Sequence, residues 1–298
     1  MELRLRCPAK LNLGLEILHR REDGYHELRT VFQSLEFHDE LSLSTKRGSG
    51  LALEVLGERG GVPETADNLV ARAWEAFGRE FGGAPALRVK LRKRIPAGSG
   101  LGGGSSDAAA MLLGLVRLTG REGNRPRLAG VAGTLGADVP YFLLGGTALG
   151  LARGDEVYPL AGGRPRQVLL LLPGEGVSTA AAYRAASARL TRRENSISLH
   201  RCFSEKGEFR PLRELQRNDL EEAIFRQRPE LGRLKEALYR LGAELAGMSG
   251  SGSALFALFR AREKAEAAAA ALAGECPRAV ITATLERRRY LRYLYGTR

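Results

Sequence analysis

A stretch with five glycines and three serines occupies residues 96–110, in the order PAGSGLGGGSSDAAA. Glycine adopts positive φ angles readily and lets a backbone N–H approach an anion closely, because it has no Cβ. The alanines that close the stretch favour a helix, and a helix start adds unpaired N–H groups and the positive end of a dipole. The segment therefore predicts a phosphate-binding loop that leads into a helix.

The loop differs from three common phosphate-binding loops. A Walker A loop requires a lysine directly after its last glycine, whereas Ser105 follows Gly104 here. Gly98, Gly100 and Gly103 have the GxGxxG spacing of dinucleotide-binding folds, but no acidic residue closes a second strand about 20 residues later. The VAIK, HRD and DFG segments of protein kinases are absent from the sequence. The loop alone leaves the enzyme class open.

Residue periodicity predicts the elements on either side of the loop. Leu87, Val89 and Leu91 alternate with charged residues, which predicts a half-buried strand just before it. Apolar residues recur at helical spacing over residues 108–116, and Gly120 ends that predicted helix. The loop is therefore expected to join a strand to a helix.

Three further elements are predicted in the first half of the chain. Alternating apolar residues over 3–7 predict a strand that ends at Pro8. An alanine- and leucine-rich helix is predicted over residues 69–81, and a short helix over residues 127–136 leads into Asp138.

The second half of the chain differs from the first in composition, which predicts a second domain. An arginine-, glycine- and proline-rich patch at 161–166 places the boundary near residue 160, which gives domains 1–160 and 161–298. Residues 191–212 are polar and irregular, and predict a surface insertion. The chain does not follow a regular βαβ rhythm, so the expected class is α+β. Strands are predicted at 168–172 and 254–259, and an alanine-rich helix that ends near Ala273 follows the second of them. A further helix is predicted from a stripe of leucines at helical spacing and ends at Gly242; the stripe consists of Leu231, Leu234, Leu238 and Leu241.

Composition narrows the class of protein. The N-terminus lacks the apolar run of a signal peptide and no stretch has the length of a membrane span, so a cytoplasmic protein is expected. The three cysteines are scattered and show no CxxC spacing, which predicts reduced thiols. The net charge of +12 suits a nucleic-acid binder or a polyphosphate-handling enzyme, but its spread along the chain predicts mainly a solvated surface.

Four segments together resemble one family. The glycine loop GLGGGSSDAA is similar to the second motif of the GHMP kinases, which phosphorylate small molecules such as galactose, homoserine and mevalonate. Residues 7–13 (CPAKLNL) resemble the first motif, residues 135–141 (LGADVPY) the aspartate motif, and residues 247–254 (GMSGSGSA) the third motif. The resemblance runs from residue 7 to about residue 285. It implies a ribosomal S5 domain 2-like N-terminal ATP-binding domain followed by a ferredoxin-like C-terminal domain.

The segment DGYHE at residues 23–27 narrows the resemblance to one branch of the superfamily. That branch phosphorylates a cytidine diphosphate-linked methylerythritol in the non-mevalonate isoprenoid pathway. The resemblance implies that Tyr25 and His26 bind the cytosine ring. The other residues implied on the substrate side are Asn12, Phe32, Tyr183, Gly247, Ser249, Gly250 and Ser251.

The resemblance also implies the catalytic and nucleotide-binding residues. Asp138 would act as base toward the substrate hydroxyl, and Lys10 would keep Asp138 ionised and stabilise charge near the transferred group. Asn68 would lie on the adenine side and Lys93 beside the nucleotide. The phosphates of ATP would be held by the loop, over Pro96, Ala97, Gly98, Ser99, Gly100, Leu101, Gly102, Gly103, Gly104, Ser105 and Ser106.

ATP and Mg²⁺ are the expected cofactors, since ATP-dependent phosphoryl transfer generally uses magnesium, and the metal ligands are left open. A monomer or weak homodimer without nucleic-acid or membrane partners is expected. Two alternatives remain at this point. One is another GHMP kinase that acts on homoserine, mevalonate or a sugar; the other is a basic nucleic-acid-binding protein.

Overall fold

The computed structural model describes residues 2–58, 62–121, 124–174, 182–183 and 217–296. Its first sheet has the strand order β3-β4-β2-β5-β6, and β1 also pairs with β2. Among the described strand pairs of this sheet, β3–β4 alone is parallel. The strands are β1 (Glu2–Arg20), β2 (His26–Thr45), β3 (Leu51–Gly57), β4 (Leu87–Lys93), β5 (Thr147–Leu151) and β6 (Glu156–Pro159).

Strand β1 does not end at Pro8, so that prediction is wrong. The strand continues to Arg20 because β2 pairs with it along most of its length, with register shifts at Pro8/Lys10, Asn12/Gly14 and Ile17/His19. Such bulges admit a proline that has no N–H for the ladder. Because residues two apart lie on one face of a strand, Lys10 and Asn12 project together, and Lys10 Nζ donates to Asn12 Oδ1 at 2.5 Å.

Four helices pack with the first sheet: α1 (Leu69–Phe81), α2 (Gly103–Thr119), α3 (Arg125–Leu135) and α4 (Val139–Leu144). The helix predicted over 69–81 and the helix that ends at Gly120 are confirmed. Asn68 caps α1, since its Oδ1 accepts the N–H of Val70 at 2.9 Å. The apolar faces of α1 and α2 and the inner face of the sheet form one continuous core.

A second, four-stranded antiparallel sheet follows in the order β10-β7-β9-β8. Its strands are β7 (Gln167–Leu171), β8 (Leu245–Met248), β9 (Leu255–Phe259) and β10 (Ala279–Ala283). The helices are α5 (Glu221–Gln227), α6 (Pro229–Arg240), α7 (Arg262–Ala271) and α8 (Arg287–Leu294). The order and the helical connections before β8 and β10 are those of a ferredoxin-like unit, so the α+β class and this architecture are confirmed.

The prediction of the leucine stripe on α6 is wrong for one of its four residues. Leu231, Leu234 and Leu238 are buried, whereas Leu241 lies beyond the last turn of α6 and is 37% exposed. A stripe at helical spacing buries a residue only while the helix continues, and α6 ends at Arg240. The predicted insertion at 191–212 lies outside the described residues.

The two sheets share a core. Leu11 and Phe37 from the first sheet pack in one buried cluster with Leu170 and Phe256 from the second. Helix α8 returns after the last strand to the first unit, where Tyr290 is fully buried. The domain boundary near residue 160 stays a prediction. Among the described helices, none has the length and hydropathy needed to cross a membrane.

Candidate active site

A cleft of about 1730 Å³ lies where the first sheet, the glycine loop and residues 250–251 of the second unit meet. Typical small-molecule pockets have volumes of roughly 300–1,000 Å³, so this cleft has room for two ligands of nucleotide size. It is lined by Lys10, Asn12, Tyr25, His26, Phe32, Asn68, Lys93, Pro96, Ala97, Gly98, Ser99, Gly100, Gly102, Gly103, Gly104, Ser105, Asp138, Tyr183, Gly250 and Ser251, all residues predicted from the sequence.

Four predicted residues lie behind the cleft wall instead. The carbonyl of Leu101 accepts the backbone N–H of Lys10 at 2.9 Å, and the Leu101 side chain is buried. Ser249 Oγ donates to the carbonyl of Gly100 at 2.9 Å. Ser106 Oγ is buried and Gly247 lies within β8. These residues support the cleft from behind.

The glycine loop has the conformation that its sequence predicts. Gly98, Gly100 and Gly102 have φ angles of 68°, 81° and 72°, and Gly102 is the N-cap residue of α2. A Cβ on Gly100 would lie 1.9 Å from the carbonyl oxygen of Ser249, and one on Gly102 would lie 2.9 Å from Lys10 Cγ. The first N–H groups of α2 have no partner within the helix and face this end of the cleft. A loop of this conformation at a helix start is suited to bind an anion.

Lys10 and Asp138 meet on the floor of the cleft. Lys10 Nζ lies 3.3 Å from Asp138 Oδ2, although the lysine is only 4% exposed. Asp138 is the N-cap residue of α4, but its side chain makes no capping hydrogen bond. Its carboxylate is therefore free to face a ligand while the buried ammonium lies beside it. This is the arrangement of a base next to a fixed positive charge.

Aromatic side chains line the other end of the cleft. Tyr25 is 56% exposed and its N–H is accepted by Asp23 Oδ1 at 3.0 Å. The ring of His26 stacks on that of Tyr183, with 5.2 Å between centroids and 29° between planes. Burial, and then the charge of Arg20, lowers the pKa of His26 below its usual range, so the ring is neutral at pH 7. Such rings offer stacking surfaces for a flat base.

Sequence reasoning missed three residues at this site. The Arg153 guanidinium lies 5.1 Å from the centroid of the Tyr25 ring and lines the cleft. Thr30 Oγ1 accepts from Asn12 Nδ2 at 2.7 Å, which orients the amide beside Lys10. Asn218 Nδ2 donates to the carbonyls of Met248 and Gly250, so it holds the third motif in place. None of these residues belongs to a local motif, so the single sequence carried no signal for them.

Asn68 and Lys93 line the cleft, but both have partners within the protein. Asn68 Oδ1 caps α1, and its Nδ2 donates to the carbonyl of Pro63 at 2.7 Å. Lys93 Nζ donates to the carboxylates of Asp39 and Asp107, and all three side chains are at most 3% exposed. Burial disfavours the charged form of Lys93. The negative charges of Asp107 and Asp39 outweigh this effect of burial and raise the pKa of the lysine. Burial and the charge of Asp39 raise the pKa of Asp107 to about 7.

No group of three or more His, Cys, Asp or Glu side chains among the described residues is arranged to hold a metal ion. Magnesium in phosphoryl-transfer sites is commonly held by one or two carboxylates together with the phosphates of the substrate. The cleft fits this arrangement of carboxylate and substrate phosphates, because Asp138 and Ser105 both line it.

Comparisons with known proteins point to one kinase family. The family profile described as GHMP kinases N terminal domain matches residues 68–146, and GHMP kinases C terminal matches residues 204–278. A 4-diphosphocytidyl-2-C-methyl-D-erythritol kinase from Solibacter usitatus is 43% identical over 87% of this chain and 81% of its own length. The protein of the same name from Solidesulfovibrio magneticus is 42% identical over 94% of this chain and 96% of its own. The chain belongs to this kinase family.

A solved structure supports the same assignment. The crystal structure of a 4-(cytidine 5'-diphospho)-2C-methyl-D-erythritol kinase is 37% identical to this chain, covers 94% of it and 98% of its own length, and has a TM-score of 0.77. The GHMP kinase fold and the kinase class predicted from the four motifs are therefore confirmed. Membership of this kinase family favours its reaction over the alternative of a GHMP kinase that acts on homoserine, mevalonate or a sugar.

Proposed function

We propose that this chain transfers the γ-phosphate of ATP to the 2-hydroxyl of 4-diphosphocytidyl-2-C-methyl-D-erythritol, and releases the 2-phosphate and ADP. The observation that carries the proposal is the Lys10–Asp138 pair, with 3.3 Å between Nζ and Oδ2, on the floor of a cleft between a glycine loop and an aromatic end. The loop suits the phosphates of ATP, and the aromatic end suits a cytosine. The pair lies where the transfer has to take place.

The reaction needs one proton acceptor and a fixed positive charge. The Asp138 carboxylate takes the proton of the 2-hydroxyl of the substrate. The oxygen of that hydroxyl forms a bond to the γ-phosphorus, while the bond from the same phosphorus to the β–γ bridging oxygen breaks. The electron pair of the broken bond stays on ADP. Lys10 lies beside Asp138 and stabilises negative charge near the transferred group. Its position is fixed by Asn12 Oδ1, which accepts from Nζ, and by its backbone bond to Leu101.

The glycine loop holds the phosphates of ATP through its backbone N–H groups. Gly98, Gly100 and Gly102 have conformations that leave those N–H groups close to an anion, and α2 adds its dipole. Magnesium would enter with ATP and neutralise part of the charge on its phosphates. Asp138 and the hydroxyl of Ser105 are the residues that we propose lie near the ion.

The aromatic end holds the cytidine. The cytosine ring stacks on Tyr25, and a ring nitrogen of neutral His26 accepts a hydrogen bond from the edge of the base. Tyr183 adds a second ring surface beside His26. Asn12, Phe32 and the third motif at 247–251 complete the substrate side of the proposed site, with Gly250 and Ser251 at the cleft surface.

We further propose that the protein acts in the cytoplasm as a monomer or weak homodimer, without a nucleic-acid or membrane partner. The net charge of +12 then serves solubility and attracts two polyphosphate substrates. Binding to duplex DNA or RNA with an affinity that falls steeply as the salt concentration rises would contradict this part of the proposal.

The test is coupled ADP release by the purified protein with ATP and Mg²⁺. The acceptor panel contains 4-diphosphocytidyl-2-C-methyl-D-erythritol, homoserine, mevalonate and galactose. We expect turnover with the cytidine-linked alcohol at least about 10³-fold above the others, because a site built around stacking and base-edge hydrogen bonds discriminates strongly against ligands without a base. Turnover of another panel member without turnover of the cytidine-linked alcohol would contradict the proposal.

A further inference from the structure

A buried group of three charged side chains lies under the glycine loop and takes no part in the proposed chemistry. Lys93 at the end of β4 donates to Asp39 on β2 and to Asp107 in α2. Their side chains are 2%, 0% and 3% exposed. Removing charges from water costs several kcal/mol per ion even when they are paired, so a buried group of this kind needs a reason beyond stability.

The carboxylate of Asp39 fixes the entrance of the loop. One of its oxygens, Oδ1, accepts the backbone N–H groups of both Arg94 and Ile95, at 2.5 Å and 2.8 Å. The carbonyl of Lys93 accepts the N–H of Glu58 at 3.0 Å. The backbone is therefore held at three consecutive residues just before Pro96, where the loop begins.

The other oxygen of Asp39 reaches the exit of the loop. Oδ2 accepts from Lys93, whose ammonium also donates to Asp107 Oδ2 at 2.6 Å in the second turn of α2. A Cβ on Gly103, the first residue of α2, would lie 3.2 Å from Asp39 Oδ2 and 3.0 Å from Ile95 Cγ2. A single carboxylate thus lies against the strand that enters the loop and the helix that leaves it.

We propose that Asp39 is the positioning residue of the phosphate-binding loop: its two oxygens fix the separation between the loop entrance at Arg94–Ile95 and the start of α2. The proposal rests on the assignment of the loop to ATP. Backbone N–H groups bind phosphates strongly only when they are already aimed at them, because ordering a loop on binding costs free energy. Asp39 supplies that order before ATP arrives.

A matched pair of variants separates this role from a general effect of altering the buried group. Asp39→Asn and Asp107→Asn each replace one carboxylate of the same group with an amide of nearly the same shape. Asparagine at position 39 has one acceptor oxygen, so it cannot serve both the two backbone N–H groups and Lys93. Asp107 accepts from Lys93 through Oδ2, whereas Asp39 accepts through both of its oxygens. Asparagine at position 107 keeps the bond to Lys93.

The measurement is calorimetric binding of ATP with Mg²⁺, and of cytidine diphosphate, to each full-length variant. We expect Asp39→Asn to raise the Kd of ATP by about tenfold or more, in line with the loss of one hydrogen bond to a charged group. Asp107→Asn should raise it by less than about threefold. The Kd of cytidine diphosphate should change by less than about twofold in both. Equal losses of ATP affinity in the two variants, or equal losses for both ligands, would overturn the proposal.

A second measurement on the unmodified protein covers the case in which Asp39→Asn does not fold. Hydrogen exchange of the Arg94 and Ile95 amides should be as slow without ATP as that of the Val89 amide within β4, because Asp39 already holds them. Fast exchange that slows only when ATP is added would overturn the proposal. Both measurements use ATP binding rather than turnover, so they stay valid if the acceptor alcohol has been assigned wrongly.

Discussion

Lys10 Nζ lies 3.3 Å from Asp138 Oδ2, and the two residues come from elements that are far apart in the chain, strand β1 and the start of helix α4. The same ammonium donates to Asn12 Oδ1, so its position is also fixed by a residue of its own strand. The lysine is buried and the aspartate is partly exposed, with side-chain exposures of 5% and 32%. A ligand can therefore reach the carboxylate without displacing the positive charge beside it.

Replacing Asp138 with asparagine should abolish most of the turnover and leave the fold intact. A positioned general base contributes roughly 10²–10⁴-fold, and we expect kcat for the cytidine-linked alcohol to fall by about that factor. The melting temperature should change by only a few degrees, because the Asp138 side chain caps no helix. The matched control is Glu230→Gln, which removes a carboxylate in the first turn of α6 that is paired with Arg228, and it should retain full turnover. A kcat within about tenfold of the original value for Asp138→Asn would remove the residue as the base.

Local signals account for the parts of the fold that the sequence predicts well. Helix α2 and its loop follow from contiguous residues, since glycines permit the loop and Gly120 ends the helix in a left-handed conformation with φ 69°. Strand β1 is longer than predicted because its continuation past Pro8 depends on pairing with β2, a tertiary contact. The effect of a proline on a strand depends on whether a bulge can be formed.

The buried charges show why part of the site could not be predicted. Asp39 is 54 residues from Lys93 in the chain, and Asp107 is 14 residues from it. Residue type and spacing predict no contact over such distances, so the sequence assigns Lys93 to the nucleotide alone. Arg153 illustrates the same difficulty, since it lies in the tight turn between β5 and β6, next to Ala152 with its φ of 57°. Only the folded chain brings the Arg153 guanidinium over Tyr25.

Removing the ring of Tyr25 should weaken binding of the cytidine-linked alcohol and leave ATP binding unchanged. Stacking of a base on an aromatic ring contributes roughly 1–3 kcal/mol, so Tyr25→Leu should raise KM for the alcohol by about 5- to 100-fold. Arg153→Met should raise it by about 2- to 5-fold, because the guanidinium over the ring contributes less at an exposed site. Steady-state kinetics with each substrate varied in turn checks this. An equal rise of both KM values would contradict the assignment of this end to cytidine.

Acidic pH should weaken binding of the cytidine-linked alcohol. Burial and then the charge of Arg20 lower the pKa of His26, so the ring becomes protonated at a lower pH than an unperturbed histidine, whose pKa is about 6.5. A protonated imidazole has two donors and no acceptor, so it can no longer accept from the cytosine amino group. We expect KM for the alcohol to be constant at neutral pH and to rise as pH falls through the lowered pKa. His26→Asn should remove that rise.

His38 provides the matched control for the pH experiment, because burial also lowers its pKa but it lies outside the cleft and contacts Tyr293. His38→Asn should keep the acidic rise in KM. The KM of ATP should show no step that depends on His26. If the acidic rise in the KM of the alcohol persisted in His26→Asn, another group would be responsible for it.

Adding a single methyl group to Gly100 should disable the nucleotide site. A Cβ at this position would lie 1.9 Å from the carbonyl oxygen of Ser249, and the φ of 81° disfavours any residue with a side chain by about 1–2 kcal/mol. The loop and the third motif would have to separate, which would also break the hydrogen bond from Ser249 Oγ to the carbonyl of Gly100. We therefore expect Gly100→Ala to lower the affinity for ATP by at least about tenfold and to lower the melting temperature.

The matched control for Gly100→Ala is Gly130→Ala. Gly130 lies within α3, and apart from the adjacent backbone of that helix no described atom lies within 4 Å of the position its Cβ would take. Alanine stabilises a helix interior relative to glycine by about 1 kcal/mol, so this variant should melt at the same or a slightly higher temperature and bind ATP normally. Calorimetry of ATP binding and thermal unfolding of both variants test the prediction. Normal ATP affinity in Gly100→Ala would show that the close contact between the two loops is not required for the site.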